Sequence, residues 1–283
     1  MKVRISNPII YLFGALGGLL FGYDTGIISG AILFIKTDLG LNALMQGIVV
    51  SSILVGAMIG SAVSGALSDR YGRRKIIMVA AAIFCIAAVG SGMAPTIGML
   101  IAFRVILGVA VGSASVLVPM YLSEIAPADK RGALSSLNQL MIVIGILLAY
   151  IVNYMYANTA GGWRWMLGFA FIPAILLLFG MFFLPESPRW LIKNGKEKEG
   201  RSILSQLRKN KDIECEMDEI KKINNQKKGE WKDLTALWTR PALTIGIGLA
   251  FFQQVIGCNT VLYYAPTIIS NAGLGKSSAI LGT

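Results

Sequence analysis

Long apolar runs alternate with polar links along almost the whole chain. Seven runs approach or exceed the roughly 20 mostly apolar residues that cross a bilayer: Ile9–Ile32, Gly47–Leu67, Ile76–Met93, Ile97–Met120, Ala133–Tyr156, Trp165–Leu184 and Ala242–Tyr264. Each is expected to be a helix, which satisfies its own backbone polar groups where no water is at hand. The link Gly65–Arg74 puts Asp69, Arg70, Arg73 and Arg74 between two such runs. An Arg or Asp at mid-depth costs roughly 2.5–3.5 kcal/mol, so this cluster holds a tight turn on one side of the membrane. Gly65 and Gly72 let the backbone turn there.

One stretch breaks the pattern. Pro185–Arg240 carries 14 basic and 10 acidic residues. Within it, Lys196–Leu207 and Ile213–Ile223 repeat apolar residues at helical spacing (Ile203, Leu204, Leu207; Ile213, Met217, Ile220). These predict short amphipathic helices, with flexible linker as the alternative for parts of the stretch. After Tyr264, Pro266 and Gly273–Gly275 read as a loop and Ala279–Thr283 as the start of another span. The predicted organisation is six spans over residues 1–184, a charged link over 185–241, and a seventh span with the start of more over 242–283. That order predicts the first part of a longer, twofold-repeated all-α membrane protein.

Composition agrees. The chain is 55% apolar and 14% charged, against about 25% charged in ordinary soluble domains, and its mean hydropathy is +0.65. A soluble enzyme does not fit seven apolar spans. The net charge of +11 is no nucleic-acid patch, because the basic residues sit in links. Lys2, Arg4, Arg70, Arg73, Arg74, Lys75, Lys130, Arg131 and the 14 basic residues between Pro185 and Arg240 occupy the N-terminal tail and alternate links. The other links hold little beyond Lys36 and Lys276. The excess of Lys and Arg in cytoplasmic loops then places the N-terminus and the long link in the cytoplasm. Met1–Arg4 is like the basic flank of a signal peptide, but the run after it is too long and contains Asp24, so it reads as an uncleaved span. Cys85, Cys215 and Cys258 lack metal spacing, and there is no histidine. No metal, cofactor or covalent chemistry is predicted.

Small and ionisable residues within the spans carry more. Gly14, Gly18, Gly22, Gly26 and Gly30 form a ridge for close helix packing. Asp24 lies about 200° round the helix from Gly22 and shares a face with Phe21. Arg104, Gly108 and Gly112 share a face of the fourth span. Asp24 and Arg104 are the clearest ionisable residues inside spans, and such residues usually line a functional path. The alternative is a buried ion pair that only sets packing. Arg stays protonated, so Asp24 would be the titrating member, as proton coupling requires. Asn138 and Gln139 in the fifth span, and Gln253, Gln254 and Asn259 in the seventh, are amides at membrane depth. Amides donate and accept in one plane, which suits paired hydroxyls of a sugar or polyol; helix–helix adhesion is the alternative. Gln253 and Tyr264, three turns apart, would share a face, with Gly257 and Pro266 able to bend the helix around a ligand.

These residues carry a resemblance. The chain resembles the sugar porter family of the major facilitator superfamily, and in particular bacterial sugar/proton symporters. The matching stretches are Gly22–Gly30, Asp69–Arg74, Arg104–Gly108, Pro119–Glu124 with Arg131-Gly132, Gly162–Trp165, Pro185–Trp190, and Gln253-Gln254 through Asn259 to Pro266. The Asp-Arg-x-Gly-Arg-Arg link belongs to the whole superfamily, whereas Pro-Glu-Ser-Pro-Arg and Gln-Gln…Asn are specific to sugar porters.

The resemblance implies roles at matching positions. Gln139, Gln253, Gln254 and Asn259 would hydrogen-bond a sugar, with Phe21 packed near it. Asp24 would take the proton, paired with Arg104; passive uniporters of the family carry a neutral residue at that acid. Tyr263 and Tyr264 would help close an outer gate. Asp69, Arg73, Arg74, Glu124, Arg131, Glu186 and Arg189 would form a cytoplasmic salt-bridge network that latches the outward-facing state. The expected partners are a monosaccharide, a proton and the lipid bilayer, by alternating access in a cell membrane. In the family's xylose symporter a second glutamine follows the fifth-span glutamine by two turns. Here that position is Ile146, which leaves glucose as the expected sugar. The family has twelve spans, so the match implies a chain cut short after the seventh. Proton-independent transport of a sugar or polyol, a non-transporting fragment, and a membrane sugar sensor are the competing readings.

Overall fold

The computed structural model describes residues 7–208, 213–225, 236, 238–273 and 275–283. The basic Lys2 and Arg4, the remaining parts of the charged link and Leu274 lie outside the described residues. Among the described residues the chain is nearly all helix, without strands: α1 (Asn7–Asp38), α2 (Ala43–Tyr71), α3 (Arg73–Gly92), α4 (Ile97–Ile125), α5 (Arg131–Tyr156), α6 (Gly162–Gly168), α7 (Phe171–Phe183), α8 (Pro188–Lys193), α9 (Glu197–Arg208), α10 (Ile213–Asn225), α11 (Arg240–Val255), α12 (Cys258–Asn271) and α13 (Lys276–Leu281). Seven helical segments are long and apolar enough to span a membrane; α6–α7 and α11–α12 each count as one.

Two breaks interrupt the spans, one of them at Gly257, where a bend is expected. The sixth span divides after Gly168, because Pro173 has no N–H to give the Phe169 carbonyl and its ring crowds that oxygen. The seventh divides at Gly257, whose φ of +74° suits glycine. A face shared by Gln253 and Tyr264 assumed one continuous helix, so that expectation falls. Pro266, expected in a loop, lies inside α12, which runs on to Asn271. Membrane helices tolerate such a proline because neighbours re-satisfy the freed carbonyl.

α1 sits at the centre: 89% of its most apolar window is buried, against 0% for α11–α12. It lies along α5 and touches α4, α7 and α12, while α4 pairs with α2 and α3. Glycines allow these close approaches. A Cβ at Gly22 would meet the Ile142 carbonyl oxygen at 1.9 Å, and one at Gly26 the Ala149 Cβ at 2.8 Å, so this ridge faces α5. Gly14 departs from the ridge and packs on Leu122 of α4. Gly108 and Gly112 press on the backbone of α2 at Ile53 and Ala57, whereas Arg104 reaches α1. Helical spacing put these three on one face, but 3.6 residues per turn makes a four-residue repeat drift by about 40° each step. The long Arg side chain covers the difference.

The charged link folds back on the span ends. Ser187 caps α8, its Oγ accepting from the Trp190 N–H at 3.2 Å, with Pro188 at the first helical position. Ile192, Leu204, Met217 and Ile220 form a small core among α8, α9 and α10. Arg208 ties this layer to α4, donating to the Ile125 and Ala126 carbonyls at 2.6 and 3.2 Å and pairing with Glu216 at 2.8 Å. A cation is favoured there because the last carbonyls of α4 carry the negative end of the helix dipole.

Candidate functional site

Two polar centres lie in the six-span body. The first is the contact between Asp24, halfway along α1, and Arg104 on α4. Arg104 Nη1 donates to Asp24 Oδ1 at 2.7 Å, and the side chains are 0% and 3% exposed. Charges survive at such depth only when paired and hydrogen-bonded. The pairing is one-pronged: Arg104 Nε and Nη2 have no partner among the described residues.

The second centre lies at the end of the bundle shared by the α2–α3 turn, the C-terminus of α4 and α8. Arg73 bridges Asp69 at 2.8 Å and Glu124 at 3.2 Å, and also donates to the Ser68 carbonyl at 3.0 Å. Lys193 pairs with the other Asp69 oxygen at 2.9 Å, and the Trp190 indole N–H donates to the Asp69 carbonyl at 2.9 Å. Glu186 accepts from the Arg74 and Ser187 backbone N–H groups at 3.0 and 2.9 Å. The Arg74 guanidinium donates to the Met181 carbonyl at 2.9 Å and to that of Phe182. Tyr121 donates to the Pro185 carbonyl at 2.7 Å. Gly72 makes this possible: its φ is +103°, and a Cβ there would meet Glu186 Oε2 at 2.3 Å. Asp69, Arg73 and Glu124 thus meet directly, and Arg74 meets Glu186. Arg131 and Arg189 make no ion pair among the described residues.

The remaining candidates are less tightly gathered. Phe21 lines a cavity of about 170 Å³ between α1, α4 and α5. Gln139 is exposed one residue past Asn138, which does line that cavity. Gln253, Gln254 and Asn259 are exposed on α11–α12, and Asn259 Nδ2 donates to Gln254 Oε1 at 3.3 Å across the Gly257 break. No hydrogen bond joins Gln139 to these three among the described residues. Tyr263 is buried in the main core against α1, within electrostatic reach of Asp24 and Arg104, and Tyr264 packs at the edge of that core. At the bundle end opposite the charged cluster, Lys276 Nζ donates to Thr37 Oγ1 at 2.9 Å and Ser277 to Asn158 Oδ1 at 3.1 Å.

Sequence reasoning missed Lys193, Trp190, Tyr121 and Arg208. Trp190 and Tyr121 stood inside stretches already noted, without roles. Lys193 and Arg208 looked like other link charges; only their burial or partner sets them apart.

A family model described as "Sugar (and other) transporter" matches residues 10–283. The chain belongs to that sugar transporter family. The D-xylose transporter of Levilactobacillus brevis is 54% identical over 98% of this chain and 61% of its own length. The glucose transporter GlcP of Staphylococcus epidermidis is 47% identical over 99% of this chain and 63% of its own. Among solved structures, a partially occluded inward-open conformation of the xylose transporter XylE from E. coli superposes with a TM-score of 0.84 at 36% identity, over 96% of this chain and 68% of that one. The chain thus spans less than two thirds of the length of these two sequence relatives. Its fold is that of the major facilitator superfamily, and it is a multi-pass membrane protein of a family of transporters rather than enzymes.

Proposed function

We propose that this chain serves transmembrane transport of glucose or a similar monosaccharide by proton-coupled symport. The observation that carries the reading is the Asp24–Arg104 contact, buried and one-pronged halfway along α1. Intramembrane charges are costly and mark substrate or proton paths, and among the described residues this acid has one charged partner, Arg104, which it would release on taking a proton. Residues 1–184 act as one rocking half, 185–241 as the cytoplasmic link and 242–283 as part of the opposing half. The basic residues of the α2–α3 turn and the link support a cytoplasmic side for that end and for the N-terminus.

In this scheme Gln139, Gln253, Gln254 and Asn259 hydrogen-bond the sugar and Phe21 packs against it. Tyr263 and Tyr264 close the outer side; the burial of Tyr263 on α1 supports that role. Asp69, Arg73, Arg74, Glu124, Arg131, Glu186 and Arg189 latch the cytoplasmic side in the outward-facing state. Relatives named for D-xylose and for glucose support the monosaccharide class; Ile146, where a second amide would stand, favours glucose.

The test is uptake of labelled glucose into vesicles holding this chain, with and without an inward proton gradient. Gradient-driven accumulation that disappears in Asp24→Asn is the expected result. Uptake indifferent to both the gradient and the substitution would replace symport with facilitated diffusion. No uptake by inserted protein would overturn the transport reading for this chain.

A further inference from the structure

Among the described residues, the segment from Cys258 to Thr283 is sealed against the first six spans at two depths along α1. The first is at Tyr263 on α12, which is buried beside Thr25. The second is on α13, where Ala279 and Ile280 are 0% and 2% exposed. Ile280 packs with Leu33 near the end of α1 and with Ala157 just past α5, and Phe34 lies at their edge. Leu33 is eight residues beyond Thr25, about 12 Å of helix rise farther from the charged end.

Polar contacts surround the Ile280 packing. Lys276 Nζ donates to Thr37 Oγ1 at 2.9 Å and stands 5.2 Å from the centre of the Phe34 ring. Thr37 spends its own proton on the Leu33 carbonyl at 3.2 Å. Its oxygen is left to accept, and an ammonium can only donate. Thr37 lies in the last turn of α1, where the helix dipole favours a cation, and the face of Phe34 attracts one as well. On the other side Ser277 Oγ donates to Asn158 Oδ1 at 3.1 Å. Lys276 is the one charged side chain between Pro241 and Thr283. α13 thus bridges the ends of α1 and α5.

This bridge is built to come apart. Lys276, Thr37 and Asn158 are exposed, and exposed charge contacts contribute little each. The sealed part is a handful of side chains that meet end to end. The contact of α1 with α5 is different in kind, because there Gly22 brings backbone against backbone.

We propose that Lys276 is a positioning residue for closure of the outer side: it seats α13 across the ends of α1 and α5, and this clasp holds α12, with Tyr263, against α1. It rests on the alternating-access reading of the transport function. Tyr263 covers α1 at the level of Thr25, and the clasp farther out keeps it there. When the outer side opens, Lys276 leaves Thr37 and Phe34, Ile280 leaves Leu33, and both levels are uncovered together.

The experiment is labelling by a charged maleimide of the full chain in lipid nanodiscs. Cys85, Cys215 and Cys258 are replaced by serine, and a single thiol is placed by Leu33→Cys, under α13, or by Thr25→Cys, under Tyr263. Lys276→Met keeps the length of the side chain and removes the donor and the charge. It should speed labelling at both positions about fivefold, the population shift that loss of one exposed charge contact produces. Lys276→Arg, which can still donate to Thr37 and stack on Phe34, should label as slowly as wild type. Ser277→Ala should speed both about twofold. Faster labelling at Leu33→Cys but not at Thr25→Cys would overturn the proposal, because α13 would then fray without holding α12. Unchanged rates in Lys276→Met would overturn it too, as would a rise in Lys276→Arg equal to that in Lys276→Met. The labelling needs no sugar, so failure of wild type to take up glucose would overturn the transport reading alone.

Discussion

Asp24–Arg104 and the Asp69–Arg73–Glu124 cluster are built from the same groups at similar distances, 2.7 Å for the first and 2.8 and 3.2 Å for the second. Their surroundings differ. Asp24 and Arg104 are sealed inside the spans; Asp69 is half exposed, and Lys193, at 40%, shares it. Among the described residues the buried pair has one contact and spare donors, while in the end cluster Asp69 and Arg73 each have several partners, the Ser68 carbonyl among them. Removing one partner from the first strands a charge in low dielectric. Removing Asp69 or Lys193 from the second leaves partners that water or a neighbour can reach, whereas Arg73 and Glu124 are themselves nearly buried. One site therefore has no substitute for a lost partner, whereas the exposed edge of the other has several.

The largest expected effect comes from breaking the buried pair on one side. Arg104→Leu, leaving Asp24 without its partner, should destabilise the folded protein by about 3–5 kcal/mol, read as a fall in Tm in lipid nanodiscs. The double variant Asp24→Asn, Arg104→Leu should recover much of that loss, because no uncompensated charge remains; equal loss in single and double variants would sink the electrostatic account.

Gly72→Ala touches the end cluster without altering a charge. The backbone at φ +103° belongs to a region other residues enter at about 1–3 kcal/mol, and the added Cβ collides with Glu186. A loss of roughly 3 kcal/mol, together with increased cysteine-reagent access at a thiol introduced at Ser187, is the outcome that fits; unchanged stability would mean the turn can relax away from α8.

Asp69→Ala should cost about 2 kcal/mol, since a hydrogen bond to a charged group is worth about 1.5–3 kcal/mol, while Arg73 keeps Glu124 and the Ser68 carbonyl and the half-exposed Lys193 turns to water. A loss as large as that of Arg104→Leu would erase the distinction between the two sites. Lys193→Ala is the mildest: at most about 1 kcal/mol in low salt, vanishing near 1 M salt, where the screening length is about 3 Å. The Arg104→Leu effect should hardly change over the same salt range, because sealed pairs are screened little.

Much of this was legible along the chain, for a definite reason. The spans are long enough to register by composition alone, and an acid and an arginine inside them are conspicuous because membranes make both costly. The amphipathic spacing in the link picked out Leu204, Leu207, Met217 and Ile220, which are buried. Other features escaped. The Pro173 break depends on one missing N–H inside an otherwise strong apolar run. Gln139 and Asn138 are neighbours in sequence, but the helix turns about 100° between them, and only the packing of α1 on α5 shows that Asn138 faces the cavity. Arg208 is one cation among many until the fold brings it to the end of α4.

By itself the sequence determined the number of spans, their helical form, the charged end and the identity of the buried ions, since each follows from local composition and the cost of polar groups in lipid. The tertiary structure alone decided partners: which glycines face α5 and which α2, that Arg104 reaches Asp24, that Lys193 completes the Asp69 site, and that a cavity opens beside Asn138. Those depend on helix rotation and depth, which a fraction of a turn changes and which no local pattern of residues specifies.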